Sequence, residues 1–436
     1  MIKHRVMSSL PRPLVAAFGL ACAAGLSAST VSAASPTQQE VLEAVSKQEQ
    51  PFLDTLETLV NIDSGTGDTQ GLRAVEELLK ERLRELGAEV ETRPAPKFGG
   101  NTVVGTLEGS GDRAIMLMIH YDTVFEEGEA EKRGFRTEDG RAYGPGVADA
   151  KGGVAMILYT LEALKALDFD DYGKLTVVFN PDEEKGSLGS RDVIGELAAD
   201  QDAVLVYEPS FSPDGADAVT VVTKGINYVF LDVTGRSSHA GSAPEKGRNA
   251  VMELSHQLLQ LDELGDADKK TTLNWTIVEG GSKRNVIPEN ARAEGDMRYF
   301  APGEYERVMN EAQEITKNKL IDDTQVEFRI EKGRPPMPDN PQTQALAEQA
   351  KQIYQELDRD LKAVEIGGGT DAAYAYNPDA AKPAVLESLG VVGGNAHSPD
   401  EYAELESIVP RLYLSTRMVM ALSDSSKSSE PESTDR

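Results

Sequence analysis

Five stretches of this chain each run into a residue that can hold a metal ion, and that pattern limits the fold more than any other feature. AIMLMI ends on His120, the turn GPGVA on Asp149, KLTVVFNPDE on Glu184, AVLVY on Glu208, and the glycine-rich VVGGNA on His397. Short apolar runs read as buried strands. Ligand-type residues at strand ends can meet on one edge of an α/β sheet, where open sheets keep their sites. Two imidazoles and three carboxylates suit zinc, and a two-metal centre in particular.

The rest of the chain fits such a sheet. Apolar residues at helical spacing predict helices over 37–62 and 71–87, the second closed by Gly87. Strands are expected near 88–93, 102–107, 114–119, 174–180 and 203–207, with helices at 152–167 and 189–199. This alternation argues for an α/β fold. The texture then changes. Strand-like 225–235, helical 247–263, strands at 271–280 and 290–300, a long helix at 303–320 and a strand at 324–331 give the order β-α-β-β-α-β of a ferredoxin-like unit. That predicts an inserted α+β domain over 224–333, splitting the main domain into 36–223 and 334–422. Ser407 is expected to cap the last helix, with Pro410 in its first turn. Residues 423–436 (SDSSKSSEPESTDR) lack apolar side chains and read as disordered.

Lys3, Arg5 and Arg12 precede the apolar stretch PLVAAFGLACAAGLSA at 13–28, and Val31-Ser32-Ala33 offers a cleavage site. This predicts a signal peptide over 1–33 and an exported, periplasmic or secreted protein. The apolar run is short for a bilayer span, and Gly19-Leu20-Ala21 make a poor lipid-attachment motif ahead of Cys22. Cys22 is the only cysteine, so cleavage leaves no thiol chemistry. It also takes the formal charge from −29 to −32 by removing Lys3, Arg5 and Arg12. An acidic surface repels nucleic acid and anionic membranes, and both are excluded as partners.

Singly, the five residues are weak signals, because a lone histidine is more often structural. Together they are stronger. His120 and Asp122 alternate on a strand and share a face, so the carboxylate can fix the imidazole tautomer. Asp149 has two oxygens and can bridge two cations. Glu183 and Glu184 are adjacent and point different ways, so one can bind metal while the other stays free as a base. Of the histidines left after cleavage, His256 sits in the helical ELSHQLLQ and reads as structural; His120, His239 and His397 lie in strand-end or Gly/Ser-rich settings.

HYDTV, GPGVADAKGG, NPDEEKGSLGSR, YEPS, SSHAGSAPEKGRNA and NAHSPDE resemble, in order and spacing, the dizinc aminoacylase and carboxypeptidase family, and within it the bacterial glutamate carboxypeptidases that hydrolyse folates. The resemblance extends through LNWTIVEGG and EIGGGTDAAY and covers essentially the whole mature chain. It implies a zinc-peptidase domain whose inserted domain serves as a dimerisation surface and lid, and two Zn2+ per subunit. His120, Asp149 and Glu208 would hold one zinc, and His397, Asp149 and Glu184 the other. Glu183 would be the general base and Asp122 would orient His120. His239 would stabilise the oxyanion, in this family usually from the partner subunit of a homodimer. Arg298 and Asn285 would bind the substrate's terminal carboxylate, with Gly369 and Thr370 of the 367–370 loop lining the same pocket. One departure is visible: Asp149 is followed by Ala150, where close relatives often carry a second Asp.

The expected activity is hydrolysis of the amide bond ahead of a C-terminal amino acid, glutamate first, in N-acyl or folate-type substrates with a free carboxylate. An aminoacylase, dipeptidase or desuccinylase would share the fold and metal site. A non-catalytic exported protein that captures zinc or acidic ligands is the alternative from another class.

Overall fold

The computed structural model describes residues 35–210, 216–380 and 382–424. The expected leader at 1–33 and nearly all of the expected tail lie outside them; Ser423, assigned to the tail by composition, closes the last helix, Ile408–Ser423.

The central sheet has six strands in the spatial order Glu89–Pro94, Asn101–Glu108, Lys174–Asn180, Ala114–His120, Ala203–Val206 and Ala384–Leu386. The first two pairings are antiparallel and the last four strands are mutually parallel, so the sheet is mixed. Strict alternation sorts its side chains. Ile115, Leu117, Ile119, Val177, Phe179 and Leu205 pack under the helices Lys151–Ala166 and Ile408–Ser423. Met116, Met118, Val178, Val204 and Val206 face Arg191–Ala198 and Ala372–Ala375. Burial on both faces explains why these strands are continuous apolar runs.

A second sheet is antiparallel, in the order Thr272–Gly280, Asn290–Tyr299, Gly225–Thr234, Gln325–Arg334. With the helices Ala250–Leu261 and Glu304–Ile315 it is the ferredoxin-like β-α-β-β-α-β unit expected from the sequence. It has its own core, including Val229, Leu231, Val233, Leu254, Ala293, Met297, Val308 and Ile330. The chain enters after Ala218–Thr223 and leaves by Met337, and Thr223 and Met337 exchange both backbone hydrogen bonds.

Several boundaries differ from the sequence reading. The helix expected over 37–62 is two, Gln38–Ser46 and Glu49–Val60. Pro51 cannot donate to residue 47, and its ring would crowd that carbonyl in a continuous helix. The helix expected to reach 320 stops at Ile315, and the Asn318 carbonyl past its end accepts from His256, Gln257 and Gln260. Ser407 occupies the N-cap position but makes no cap bond; its hydroxyl donates to the Glu404 carbonyl and accepts from Val392 N–H. Helix Thr69–Glu85 does end as expected, with Gly87 in the left-handed region at φ +96°.

Candidate metal centre and active site

The four parallel strands deliver chemistry at their C-terminal ends. Ala114–His120 ends on His120, Glu183 and Glu184 follow Lys174–Asn180, Glu208 follows Ala203–Val206, and Glu387 follows Ala384–Leu386. Asp149 comes from the turn before helix Lys151–Ala166. Gly153 lets that helix seat against the adjacent strand, since a Cβ there would stand 2.1 Å from the Tyr207 carbonyl oxygen. The Asp149–Ala150 peptide is cis. His397 lies in a loop at φ +62°, with Asn395 at +57°.

Asp149 sits between the two imidazoles. Its Oδ1 is 3.2 Å from His120 Nε2 and its Oδ2 is 3.3 Å from His397 Nε2. Glu208 Oε2 lies 3.6 Å from His120 Nε2, and Glu184 Oε2 lies 3.3 Å from His397 Nε2. His120, Asp149 and Glu184 together place ligand atoms within 4.8 Å of one another. Asp149 thus faces both imidazoles, with Glu208 beside His120 and Glu184 beside His397, while the tightest group of ligand atoms joins Glu184 to His120 and Asp149.

Asp122 is fully buried and anchors this geometry. Its Oδ1 accepts from Glu183 N–H at 3.1 Å and lies 3.3 Å from His120 Nδ1. Its Oδ2 accepts from Thr66 Oγ1 at 2.6 Å and Glu184 N–H at 3.3 Å. The Asp122 carbonyl also lies 3.0 Å from His120 Nδ1. Only acceptors surround Nδ1, so it carries the hydrogen and Nε2 faces the carboxylates.

The electrostatics are those of a cation site. Burial pushes the Glu184 carboxyl up to about 8, against the opposing bond from His397. Burial likewise pushes Glu208 up to about 8, against the pull of His120. His397 is raised to about 10 by its contacts with Asp149 and Glu184. Burial disfavours a charged His120, but Glu208, Asp122 and Asp149 outweigh it and raise its pKa well above the ordinary value. Burial would also raise Asp149, and the flanking imidazoles hold it well below the carboxylate range instead. Glu184 Oε1 and Glu208 Oε1 are buried with no hydrogen-bond partner. Orphaned carboxylate oxygens beside convergent imidazoles fit divalent ions.

Asp149, Glu183, Glu184, Glu208 and His397 line a cavity of about 180 Å³, together with Ile366, Gly369, Thr370, Glu387 and Ser388. A larger cleft, about 680 Å³ and walled by Tyr299, Tyr305, Tyr374 and several prolines, holds none of the predicted residues. The smaller cavity is the one with the chemistry. His239, Asn285 and Arg298 are not among its described walls. His239 Nδ1 accepts from Gly241 N–H and Ser242 N–H, both at 3.1 Å, which leaves Nε2–H as the outward donor. Asn285 is adjacent, its carbonyl accepting from Ala240 N–H at 2.9 Å. Arg298 reaches the glycine loop, donating from Nη1 to the Gly367 carbonyl at 3.0 Å.

Besides Glu387, sequence reasoning missed three residues. Arg334 is 6% exposed and its guanidinium pairs with Glu183 Oε1 and donates to the Gly369 carbonyl. Asp371 is buried, accepts from Asn180 Nδ2 at 2.7 Å and from Ser187 Oγ, and lies 3.6 Å from Arg334. Glu401 is fully buried and accepts from the N–H groups of Gly146, Ala148 and Asp149 at 3.1, 2.9 and 2.9 Å. Only the placement of Asp371 in GGGTDAAY and of Glu401 in HSPDE, beside residues already singled out, marked them.

The profile of peptidase family M20/M25/M40 matches residues 116–421. The chain belongs to this family. It is 41% identical over 389 residues to carboxypeptidase G2 of Pseudomonas sp. (strain RS-16), covering 88% of this chain and 92% of that one. Among solved structures it is similar to a tripeptidase from Staphylococcus aureus, with TM-score 0.73, 22% identity and coverage of 86% and 98%. It is also similar to the Bacillus subtilis YXEP protein, described as a dinuclear metal-binding peptidase, with TM-score 0.65, 17% identity and coverage of 86% and 99%. This protein is therefore a hydrolase of the metallocarboxypeptidase kind, with a candidate metal site at His120, Asp149 and Glu184. No described helix is long and apolar enough to cross a membrane.

Proposed function

We propose that this enzyme is an exported, zinc-dependent carboxypeptidase that releases a C-terminal amino acid, glutamate first, from N-acyl or folate-type substrates. The observation that carries the reading is Asp149, whose two carboxylate oxygens face two different imidazoles. His120, Asp149 and Glu208 would hold one zinc, and His397, Asp149 and Glu184 the second. Such a pair, when bound, polarises a scissile carbonyl and lowers the pKa of water toward about 7.

The remaining work falls to the chain's own residues. Glu183 takes a proton from the attacking water and gives it to the leaving amine, a transfer that typically contributes about 10²–10⁴-fold. His239 donates from Nε2 to the charge developing on the carbonyl oxygen. Arg298 offers a planar fork to the substrate's terminal carboxylate, Asn285 is a second group to bind it, and Gly369 and Thr370 line the same pocket. The 224–333 unit acts as lid and dimerisation surface. In support, Thr272–Gly280 is an edge strand with Ile277 and Val278 exposed, and helix Ala250–Leu261 exposes Met252 and Leu259. Closure would bring His239, from this chain or its partner, toward the centre.

Glutamate released from folate or methotrexate is the test, measured before chelation, after it, and after zinc is restored. Loss on chelation and recovery with zinc is expected. Turnover that survives thorough chelation contradicts the metal, and release of a different residue contradicts only the glutamate.

A further inference from the structure

We propose that Lys224 is the receptor for a side-chain carboxylate, so that Lys224 and Arg298 together select a dicarboxylic C-terminal residue. The assignment rests on the carboxypeptidase reading above and adds the residue that sets its preference.

Sheet register puts the two cations on one face. Gly225–Thr234 and Asn290–Tyr299 are antiparallel, with Ile226 opposite Arg298 and Gly225 opposite Tyr299. Continuing by one residue sets Lys224 across from Phe300, diagonal to Arg298, a spacing of roughly 7–8 Å between Cα positions. The Lys224 ammonium lies 5.1 Å from the Phe300 ring centroid, which fixes its direction.

Both cations are tied to the glycine loop that walls the catalytic cavity. Lys224 N–H donates to the Gly368 carbonyl at 2.9 Å, and Arg298 Nη1 donates to the Gly367 carbonyl at 3.0 Å. Gly369, a wall of the cavity, lies so close that a Cβ on it would stand 2.8 Å from the Lys224 carbonyl oxygen. The Lys224 backbone and the Arg298 guanidinium therefore both touch the loop whose next residues, Gly369 and Thr370, wall the cavity.

Charge compensation separates Lys224 from its neighbours. Lys270, 5.4 Å from the same Phe300 ring, is paired with Glu365. Arg298 Nε is paired with Asp296 at 2.9 Å, while its Nη2 has no hydrogen-bond partner among the described residues. No described carboxylate lies within 4 Å of the Lys224 ammonium. Partial burial, with Arg298 and Lys270 nearby, depresses its pKa. Among the described residues Lys224 has no ion-pair partner of its own, and the carboxylate that acts on it, Asp296, is already engaged by Arg298, so the ammonium remains able to attract an anion. In a chain of formal charge −29 this is a local exception. Arg298 takes the α-carboxylate and Lys224 the second, and the carboxylates of glutamate, three carbons apart, suit two cations offset along one sheet face.

The test compares N-benzoyl-glutamate with N-benzoyl-norleucine, of similar side-chain length but without the second charge, using the zinc-loaded full-length enzyme. In Lys224→Met the kcat/KM ratio of glutamate over norleucine should fall about 10- to 100-fold, mainly through KM, and Lys224→Arg should restore most of it. On the wild-type enzyme glutarate should inhibit at least about tenfold more strongly than butyrate. A ratio unchanged by Lys224→Met, an equal loss on both substrates, or equal inhibition by the two acids overturns the assignment and leaves the carboxypeptidase intact. Wild-type enzyme that releases neither amino acid overturns both.

Discussion

Asp122→Asn tests how the centre is held. The carboxylate faces four donors: Glu183 N–H and His120 Nδ1 on one oxygen, Thr66 Oγ1 and Glu184 N–H on the other. An asparagine can keep only one oxygen. If its oxygen takes the Oδ1 place, Glu183 and His120 stay bonded and the Thr66 hydroxyl can rotate to accept from the new amide. Glu184 N–H is then left facing an NH2 group. The opposite flip strands Glu183 N–H and turns the amide NH2 toward His120 Nδ1–H, which keeps only the residue-122 carbonyl, so the first is favoured. One buried unsatisfied donor costs about 1–3 kcal/mol, and that is the expected loss of stability in the metal-free protein. The same residue carries a candidate ligand, and groups that orient ligands typically matter about 10- to 100-fold in metal affinity. Urea unfolding of the metal-free protein would read the first quantity, and zinc titration against a competing chromophoric chelator the second. Wild-type stability together with wild-type zinc affinity would refute this account of Asp122.

Three further outcomes follow from the same geometry. Metal-free protein should lose stability as pH rises from about 5 to 8: Glu184 and Glu208, raised to about 8, still hold protons that the unfolded chain has released, and His397, raised to about 10, does the same above its ordinary 6.5. Tm measured with and without zinc should therefore show a larger zinc effect at pH 8 than at pH 6, and a flat or inverted trend would count against the site. Glu401→Gln removes a carboxylate that accepts three N–H bonds from the Asp149 turn; zinc affinity should weaken about 10- to 100-fold, read by the same titration, with Glu401→Asp intermediate. Glu183→Gln should lower kcat by at least about 10²-fold while calorimetry still finds two zinc ions bound. Retained turnover would dismiss Glu183 as the base, and a wild-type turnover lost in a variant that keeps its metal would dismiss the non-catalytic binding protein.

Much of this was legible because burial and chemistry coincide in the sequence. Strands buried on both faces must be apolar throughout, so a His or Glu that ends one is conspicuous; His120, Glu184 and Glu208 were found that way. The β-α-β-β-α-β unit was readable for the opposite reason: its half-exposed strands alternate, as in GINYVFLDVTG. What stayed hidden depends on partners distant in sequence. Arg334 meets Glu183 from 151 residues away, and Glu401 reaches Gly146 across 255. No local pattern marks a charged side chain that will be buried by its partner. Short strands such as Tyr402–Glu404 and Gly393–Gly394, which pair with each other and, through the former, with Arg141–Tyr143, carry too few residues for a period to register.

The central claim is that one carboxylate, Asp149, joins two cation sites. Metal content by inductively coupled plasma mass spectrometry, on wild-type protein and on Asp149→Asn after zinc loading and desalting, tests it directly. Two zinc ions per wild-type chain, with both sites weakened together in the variant, is the predicted result. A single tightly held zinc in the wild type, or a variant that loses one ion and keeps the other at full affinity, would contradict it.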